Sequence, residues 1–276
     1  MKATCGFMHR IIAMATAVCL AVSLLAAGYV ACMAPIVSSA LSNAFAQDDL
    51  SPYSKDDLVG LSLQIRDYTV CDYGRAQGGV QQARETLAEA TLAAAERSSA
   101  SSEKQDEWNA QALQAMQSPA WSANPAQAAE ELSRISCRYA LDPSALQHLD
   151  DCHALMNRAR IALACIAIAG AASLAYLLAT RRFRQAGQAL FAGPLILAAF
   201  MLAAGAWCTV DFNGFFSLFH RILFPQGNWT FPADSLLICS LPLEFWMVMA
   251  AVWLAVTLFA CIIAMILGRR LTKRRT

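Results

Sequence analysis

Of the four histidines in the 276-residue chain, His148, His153 and His220 fall in polar connections between long apolar runs, while His9 lies in a basic amino-terminal tail. Imidazole titrates close to neutrality, so it can take a proton from one reacting group and return it to another. Metal binding is not expected. His148 and His153 are too far apart in sequence to share a helical face as a His-Glu-x-x-His zinc pair does, and the ten cysteines show no CxxC or Cys/His zinc spacing. No cofactor is implied either. Ser217 stands three residues before His220, but no Gly-x-Ser-x-Gly elbow surrounds it, which disfavours a serine acyl-enzyme. A lone histidine is more often structural than catalytic, so each has to be judged with its neighbours.

His220 has the more distinctive ones. Read as a helix, Phe212, Phe215, Phe216, Phe219, Ile222 and Leu223 fall on one face and Asn213, Ser217, His220 and Arg221 on the other, as expected of a helix lying along a bilayer surface. Pro225, Gly227, Pro232 and Pro242 forbid a long regular continuation, so Asn228-Trp229-Thr230-Phe231 is predicted to be a folded loop with an amphipathic indole near the headgroups. Asn213, Arg221, Asn228 and the Trp229 indole are candidate donors to an oxygen that becomes anionic in a reaction. Asp151 and Asp211 can orient an imidazole, or serve only as caps and solvated carboxylates.

What must position these residues is a membrane fold. The chain is 57% hydrophobic and 15% charged, more apolar than a soluble domain. Four runs are long enough to cross the hydrocarbon core as helices: 11–32, 161–180, 189–210 and 246–267. The fold class is therefore all-α and polytopic, with two outer loop regions forming a helical cap. The basic residues of segments 1–10, 181–188 and 268–276 have no acid among them, whereas 33–160 carries 17 acids against 10 bases. The 211–245 connection carries three acids against one base. By the excess of Lys and Arg in cytoplasmic segments, both termini are expected inside and both histidine-bearing connections outside. No Asp, Glu, Lys, Arg or His interrupts 161–180 or 189–210, which argues against an ion or proton path. The small residues of these two runs predict that they pack tightly on each other. Ala44-Phe45-Ala46 resembles a signal-cleavage site, but the preceding apolar run is of span length, so an uncleaved anchor is expected.

In the first outer connection, Ser54 is a helix cap before Leu58, Leu61, Ile65 and Tyr68, which recur at helical spacing. Residues 79–118 predict a helical hairpin turning at 97–103, its charges forming a solvated face. Asn124-Pro125 and Asp142-Pro143 start two further helices, the second carrying His148. If that helix ran unbroken into the second span, His148 would stand roughly 20 Å above Ile161, so a bend or a sunken start is expected. Cys71 and Cys137, near the ends of helices bordering the insertion, are the expected disulfide pair.

The order Asp211-Phe212, Phe215-Phe216, Phe219-His220, Phe224-Pro225, Asn228-Trp229, Phe231, Asp234, Leu237-Ile238 and Leu241-Pro242 with Glu244-Phe245 resembles the signature of a bacterial family of four-helix integral membrane proteins. Its characterised members are lipoprotein intramolecular transacylases. His148-Leu149-Asp150-Asp151 is similar to a second family segment, with Cys152 where an aliphatic residue would be expected. Residues 74–140 lie outside the resemblance and read as an insertion. The resemblance implies an enzyme that moves the sn-2 acyl chain of a diacylglyceryl-cysteine onto that residue's own α-amino group, giving a lyso-form lipoprotein. It implies His148 and His220 as the catalytic residues, diacylglyceryl-modified lipoproteins as substrates, membrane lipids as neighbours, and no nucleic acid. The implied location is the bacterial cell membrane with the site at its outer face. The rival reading is a non-enzymatic membrane protein that binds lipids or a protein partner through the insertion.

Overall fold

The computed structural model describes residues 2–71 and 79–273; the opening of the 74–140 insertion and the basic-tail residues Arg274 and Arg275 lie outside it. Its described residues form helices joined by turns and irregular segments, without strands. By contacts the chain forms two compact units: residues 1–32, 158–219 and 251–276 in one, and 33–157 and 220–250 in the other.

The first unit contains the apolar parts of α1 (Lys2–Cys32), α8 (Pro143–Ala179), α9 (Phe183–Val210) and α12 (Leu243–Lys273). These four helices are long and apolar enough to cross a membrane. Small residues of both α8 and α9 sit against α1. A Cβ on Gly193 of α9 would come within 2.9 Å of the Ala17 carbonyl of α1, and one on Gly170 of α8 within 3.0 Å of Cys19 Cβ. Gly205 of α9 faces open space. Glycine thus sits where backbones approach most closely, a use of small residues that sequence cannot assign to a particular neighbour. Gly187 of α9 and Gly268 of α12 form another such crossing: a Cβ on the former would lie 2.6 Å from the latter's carbonyl oxygen. Where α1 meets α12, Trp253 Nε1 donates to the Leu25 carbonyl at 2.9 Å.

The second unit is helical. It begins with α2 (Pro35–Phe45), where Pro35 takes an early position whose amide would be unpaired anyway. In α3 (Lys55–Val70), Ser54 Oγ accepts from the Asp57 amide and the predicted stripe Leu58, Leu61, Ile65 and Tyr68 is buried. The expected hairpin takes another form. The helix α4 (Gly79–Ala100) packs against α3 and α7 (Pro125–Ile135), while 105–123 breaks into a 3₁₀ turn and the short α5 (Ala110–Ala115) and α6 (Ala120–Ala123). The break has a physical cause in Trp108, which is buried with its ring stacked on Tyr139 at 4.8 Å and edge-on to Tyr53 at 5.5 Å. A continuous helix would leave that ring to the helix's own register.

The charges expected to form only a solvated face do more than that. Arg97 pairs with the buried Asp57 at 2.8 Å, Arg84 with Asp150, and the buried Lys104 ammonium donates to the Asp48 and Ser51 carbonyls. The 211–245 connection supplies α10 (Phe212–Leu223) and α11 (Leu236–Ser240), and the Leu236 amide donates to the Cys137 carbonyl at 2.9 Å.

Cys71 and Cys137 are both free thiols, which corrects the expected bridge. Cys71 lines a cavity with Asp150 and His153 of α8, whereas Cys137 lines another with Ala145, nearer the start of that helix. Ala145 and His153 are separated by roughly 12 Å of helix axis at 1.5 Å per residue, more than the roughly 7 Å that a disulfide can bridge between Cα atoms.

Gly187→Leu is expected to destabilise the protein by about 1–3 kcal/mol through overpacking, whereas Gly205→Leu, with open space around it, should be near neutral. Thermal unfolding in detergent would check the pair; equal melting temperatures for both variants would contradict the assigned crossing.

Candidate functional site

His148 is carried by α8, which opens with Pro143 and with Asp142 Oδ1 accepting from the Ala145 amide at 2.7 Å. The helix then runs unbroken through Ala179, so of the two expected arrangements, a bend or a sunken start, the bend is absent. The reason is local: Pro143 at the start is the one proline of this helix, and no glycine occurs before Gly170, so nothing interrupts its ladder. Asp150, Asp151, Arg158 and Arg160 precede the uninterrupted apolar stretch that starts at Ile161, which places His148 outside that stretch.

His220 sits with Arg221 in the last turn of α10, where a helix dipole favours positive charge. The chain then turns at Pro225 and at Gly227, whose positive φ of 81° a glycine adopts without strain. This return folds Asn228, Trp229 and Phe231 back over α8 and the end of α10. Asn228 Nδ2 donates to Asp151 Oδ2 at 3.3 Å and ties the loop tip to the helix.

The consequence is a compact aromatic and imidazole cluster. The buried Phe224 ring lies 4.7 Å from the His148 ring and 5.9 Å from the His220 ring. Phe231 covers His148 at 5.6 Å, and the Trp229 indole packs on His220 at 5.0 Å. Burial holds the His148 pKa below its ordinary value, and the neighbouring His220 lowers it further; the Asp151 carboxylate opposes both less strongly. His148 therefore rests as a neutral imidazole at pH 7. Its Nδ1 is buried with no partner among the described residues, and its Nε2 lies 3.5 Å from Cys152 Sγ, one turn on.

His153 projects from the opposite face of α8, consistent with its five-residue offset from His148. It lines the cavity of Tyr68, Cys71 and Asp150, in which the Tyr68 hydroxyl and the Arg84 guanidinium both donate to Asp150.

Among the residues singled out from sequence, His148, Asp151, His220, Asn228 and Trp229 come together. Arg221 is exposed beside His220. Asp211 is spent on the start of α10, where its Oδ1 accepts from the Gly214 amide at 2.8 Å, and Asn213 is exposed in the first turn; both belong to the other unit. Phe224, Phe231 and Cys152 were not singled out as site residues. The first two were visible only as parts of an aromatic-rich run, and Cys152 only as an unusual residue after Asp151. Among the described residues, no group of three or more His, Cys, Asp or Glu is placed to hold a metal ion.

Because the unfolded His148 titrates near its ordinary value of 6.5 and the folded one below it, the unfolded chain binds this proton more readily. The group's contribution to stability is present above pH 6.5 and is lost as pH falls toward the depressed folded value. Melting temperatures measured between about pH 7.5 and 5 should drop further for the wild type than for His148→Gln; parallel curves would contradict the burial of a neutral imidazole.

A family model described as lipoprotein intramolecular transacylase matches residues 105–246, just over half of the chain and inclusive of both clustered histidines; it takes in 105–140, which corrects the expectation that all of 74–140 lies outside the family resemblance. Among solved structures, the chain is similar to the membrane-integral lipoprotein intramolecular transacylase of Bacillus cereus, at 17% identity over 97% of each chain with a TM-score of 0.65. A second structure of that protein, carrying a histidine-to-arginine substitution, gives the same identity and TM-score over 98% of this chain and 95% of that one. At such identity the likeness is one of fold. No curated protein matches the sequence.

Proposed function

This chain belongs to the lipoprotein intramolecular transacylase family and is a multi-pass membrane protein, and we propose that His148 and His220 are its catalytic pair. The observation that carries the reading is that both imidazoles flank the one buried ring of Phe224, from two different elements. The substrate is a lipoprotein whose amino-terminal cysteine bears a diacylglyceryl group. Its neutral α-amine attacks the carbonyl carbon of the sn-2 ester, and the carbonyl electron pair moves to oxygen. One imidazole accepts the proton of the resulting ammonium while the other donates toward oxygen. The tetrahedral adduct collapses with cleavage of the bond to the glycerol oxygen, which leaves protonated as a free hydroxyl, and the acyl chain ends on the amine as an amide. Nucleophile and ester come in one molecule, so much of the acceleration is positional and no protein nucleophile is required.

The remaining residues support this arrangement. Trp229 shields His220, Asn228 links the loop to Asp151, and Arg221, Asn213 and Asp211 are retained as positioning candidates in or near α10. The charge distribution supports a bacterial cell-membrane orientation with both termini cytoplasmic, the 33–160 and 211–245 connections at the outer face, and the four spans at 11–32, 161–180, 189–210 and 246–267.

Single cysteines placed near Ala100 are expected to react with an impermeant thiol reagent applied from outside, and those near Gln185 to be protected. The reverse pattern would invert the topology.

His148→Ala and His220→Ala are each expected to lower conversion of a diacylated lipopeptide roughly 10²–10⁴-fold, the usual worth of general acid–base help, while His153→Ala leaves it intact. Asn228→Ala and Trp229→Ala should cost less. Wild-type conversion by either of the first two variants, read by mass spectrometry with unfolding temperature as a folding control, would remove that histidine from the mechanism.

A further inference from the structure

We propose that Cys152 is a positioning residue that fixes the tautomer of His148, leaving the proton on Nδ1 and thereby making His148 the hydrogen-bond donor of the pair and His220 the proton acceptor. This rests on the assignment of His148 and His220 to acyl transfer and goes beyond it by dividing their roles.

Residues 148 and 152 are one turn apart on α8 and face the same way, which brings Cys152 Sγ to 3.5 Å from His148 Nε2. A thiol is a weak donor and a weaker acceptor, whereas an unprotonated imidazole nitrogen is a good acceptor, so the favourable polarity is S–H donating to Nε2. The thiol keeps its proton because burial, aided by the Asp151 charge, pushes its pKa up to about 12. The ring is neutral for the reasons given above, so a lone pair on Nε2 obliges the single ring proton to reside on Nδ1. That nitrogen is buried with no partner among the described residues. A buried donor without a partner is costly in a resting protein and is accounted for if it serves a group that arrives with the substrate.

The oxygen that gains charge in the tetrahedral adduct is such a group. A neutral imidazole surrenders its last proton with difficulty, so its N–H donates a hydrogen bond to the oxyanion rather than a whole proton. His220 then takes the ammonium proton and passes it to the departing glycerol oxygen, which closes the balance with both rings restored.

Cys152 could instead be read as a nucleophile, with His148 as its base and a thioester as intermediate. The raised thiol pKa disfavours that reading, since the thiolate is the nucleophile, and the substrate's amine makes the step unnecessary. The two readings separate experimentally. A serine hydroxyl can donate to Nε2 as the thiol does, so Cys152→Ser should retain activity near the wild-type level, whereas Cys152→Val should lower kcat by roughly ten- to a hundredfold, by analogy with the loss of an outer partner that orients a metal-bound histidine, with KM little changed.

Nitrogen-15 spectra of the full-length protein in nanodiscs, labelled at histidine and assigned with His148→Gln, should show the proton of His148 on Nδ1 in the wild type and in Cys152→Ser, and shared between the two nitrogens in Cys152→Val. A wild-type ring protonated on Nε2, or unchanged kcat and spectrum in Cys152→Val, would overturn the inference. So would an acyl thioester on Cys152 together with an inactive Cys152→Ser. These outcomes differ from failure of the functional reading itself, in which His148→Gln would convert the lipopeptide at the wild-type rate whatever the tautomer.

Discussion

The ion-pair cluster of Asp150 with Arg84 and Tyr68 fixes the rotation of α8, and the site depends on that rotation. Side chains at 150 and 153 leave this helix on one side and those at 148, 151 and 152 on the other. With Asp150 held to α3 and α4, the opposite face is turned to the 220–231 segment, where Asn228 secures Asp151 and Phe224 and Phe231 close over His148. A helix turned by one residue, about 100°, would carry His148 out of that enclosure. Arg84 of α4 thus matters to the site through its hold on Asp150.

The chemistry suits an enclosure of this kind. Aromatic walls lower the local dielectric, which strengthens hydrogen bonds to a developing anion and keeps His148 neutral. His220 lies against Trp229 and Phe224. An imidazole pair without a protein nucleophile fits a transfer in which the substrate brings both partners, because the protein then has to fold the lipid so that amine and ester meet. The aromatic lining also suits acyl chains better than a hydrated, charged site would.

Much of this was legible in the sequence. The four apolar runs, the helix starts at Asn124-Pro125 and Asp142-Pro143, the amphipathic pattern of α10 and the loop forced by Pro225 and Gly227 are local signals, and each appears as read. His148 and His220, singled out by their neighbours, share one aromatic cluster, and their catalytic role is the reading proposed above. Relations between distant segments were less legible. Small residues in α8 and α9 announced close packing but not that α1 would be the partner of Gly170 and Gly193. Trp108 signalled an apolar anchor but not that it would break the expected hairpin to reach Tyr53 and Tyr139. The bend expected in α8 arose from supposing that the site must lie at the depth of Ile161, and the helix contains no residue able to make one. Cys71 and Cys137 looked like a pair because they border one insertion, yet they meet α8 at different levels.

The account is tested most directly by incubating the purified protein with two diacylated lipopeptides that differ in peptide mass and in isotopic labelling of the sn-2 chain, then reading the products by tandem mass spectrometry. Each peptide should carry its own labelled chain on its own α-amine, at unchanged total mass and without exchange between the two, and a peptide with a blocked amine should be left as it was. Release of free fatty acid, or acyl chains crossing from one peptide to the other, would contradict an attack by the substrate's own amine within the imidazole pair.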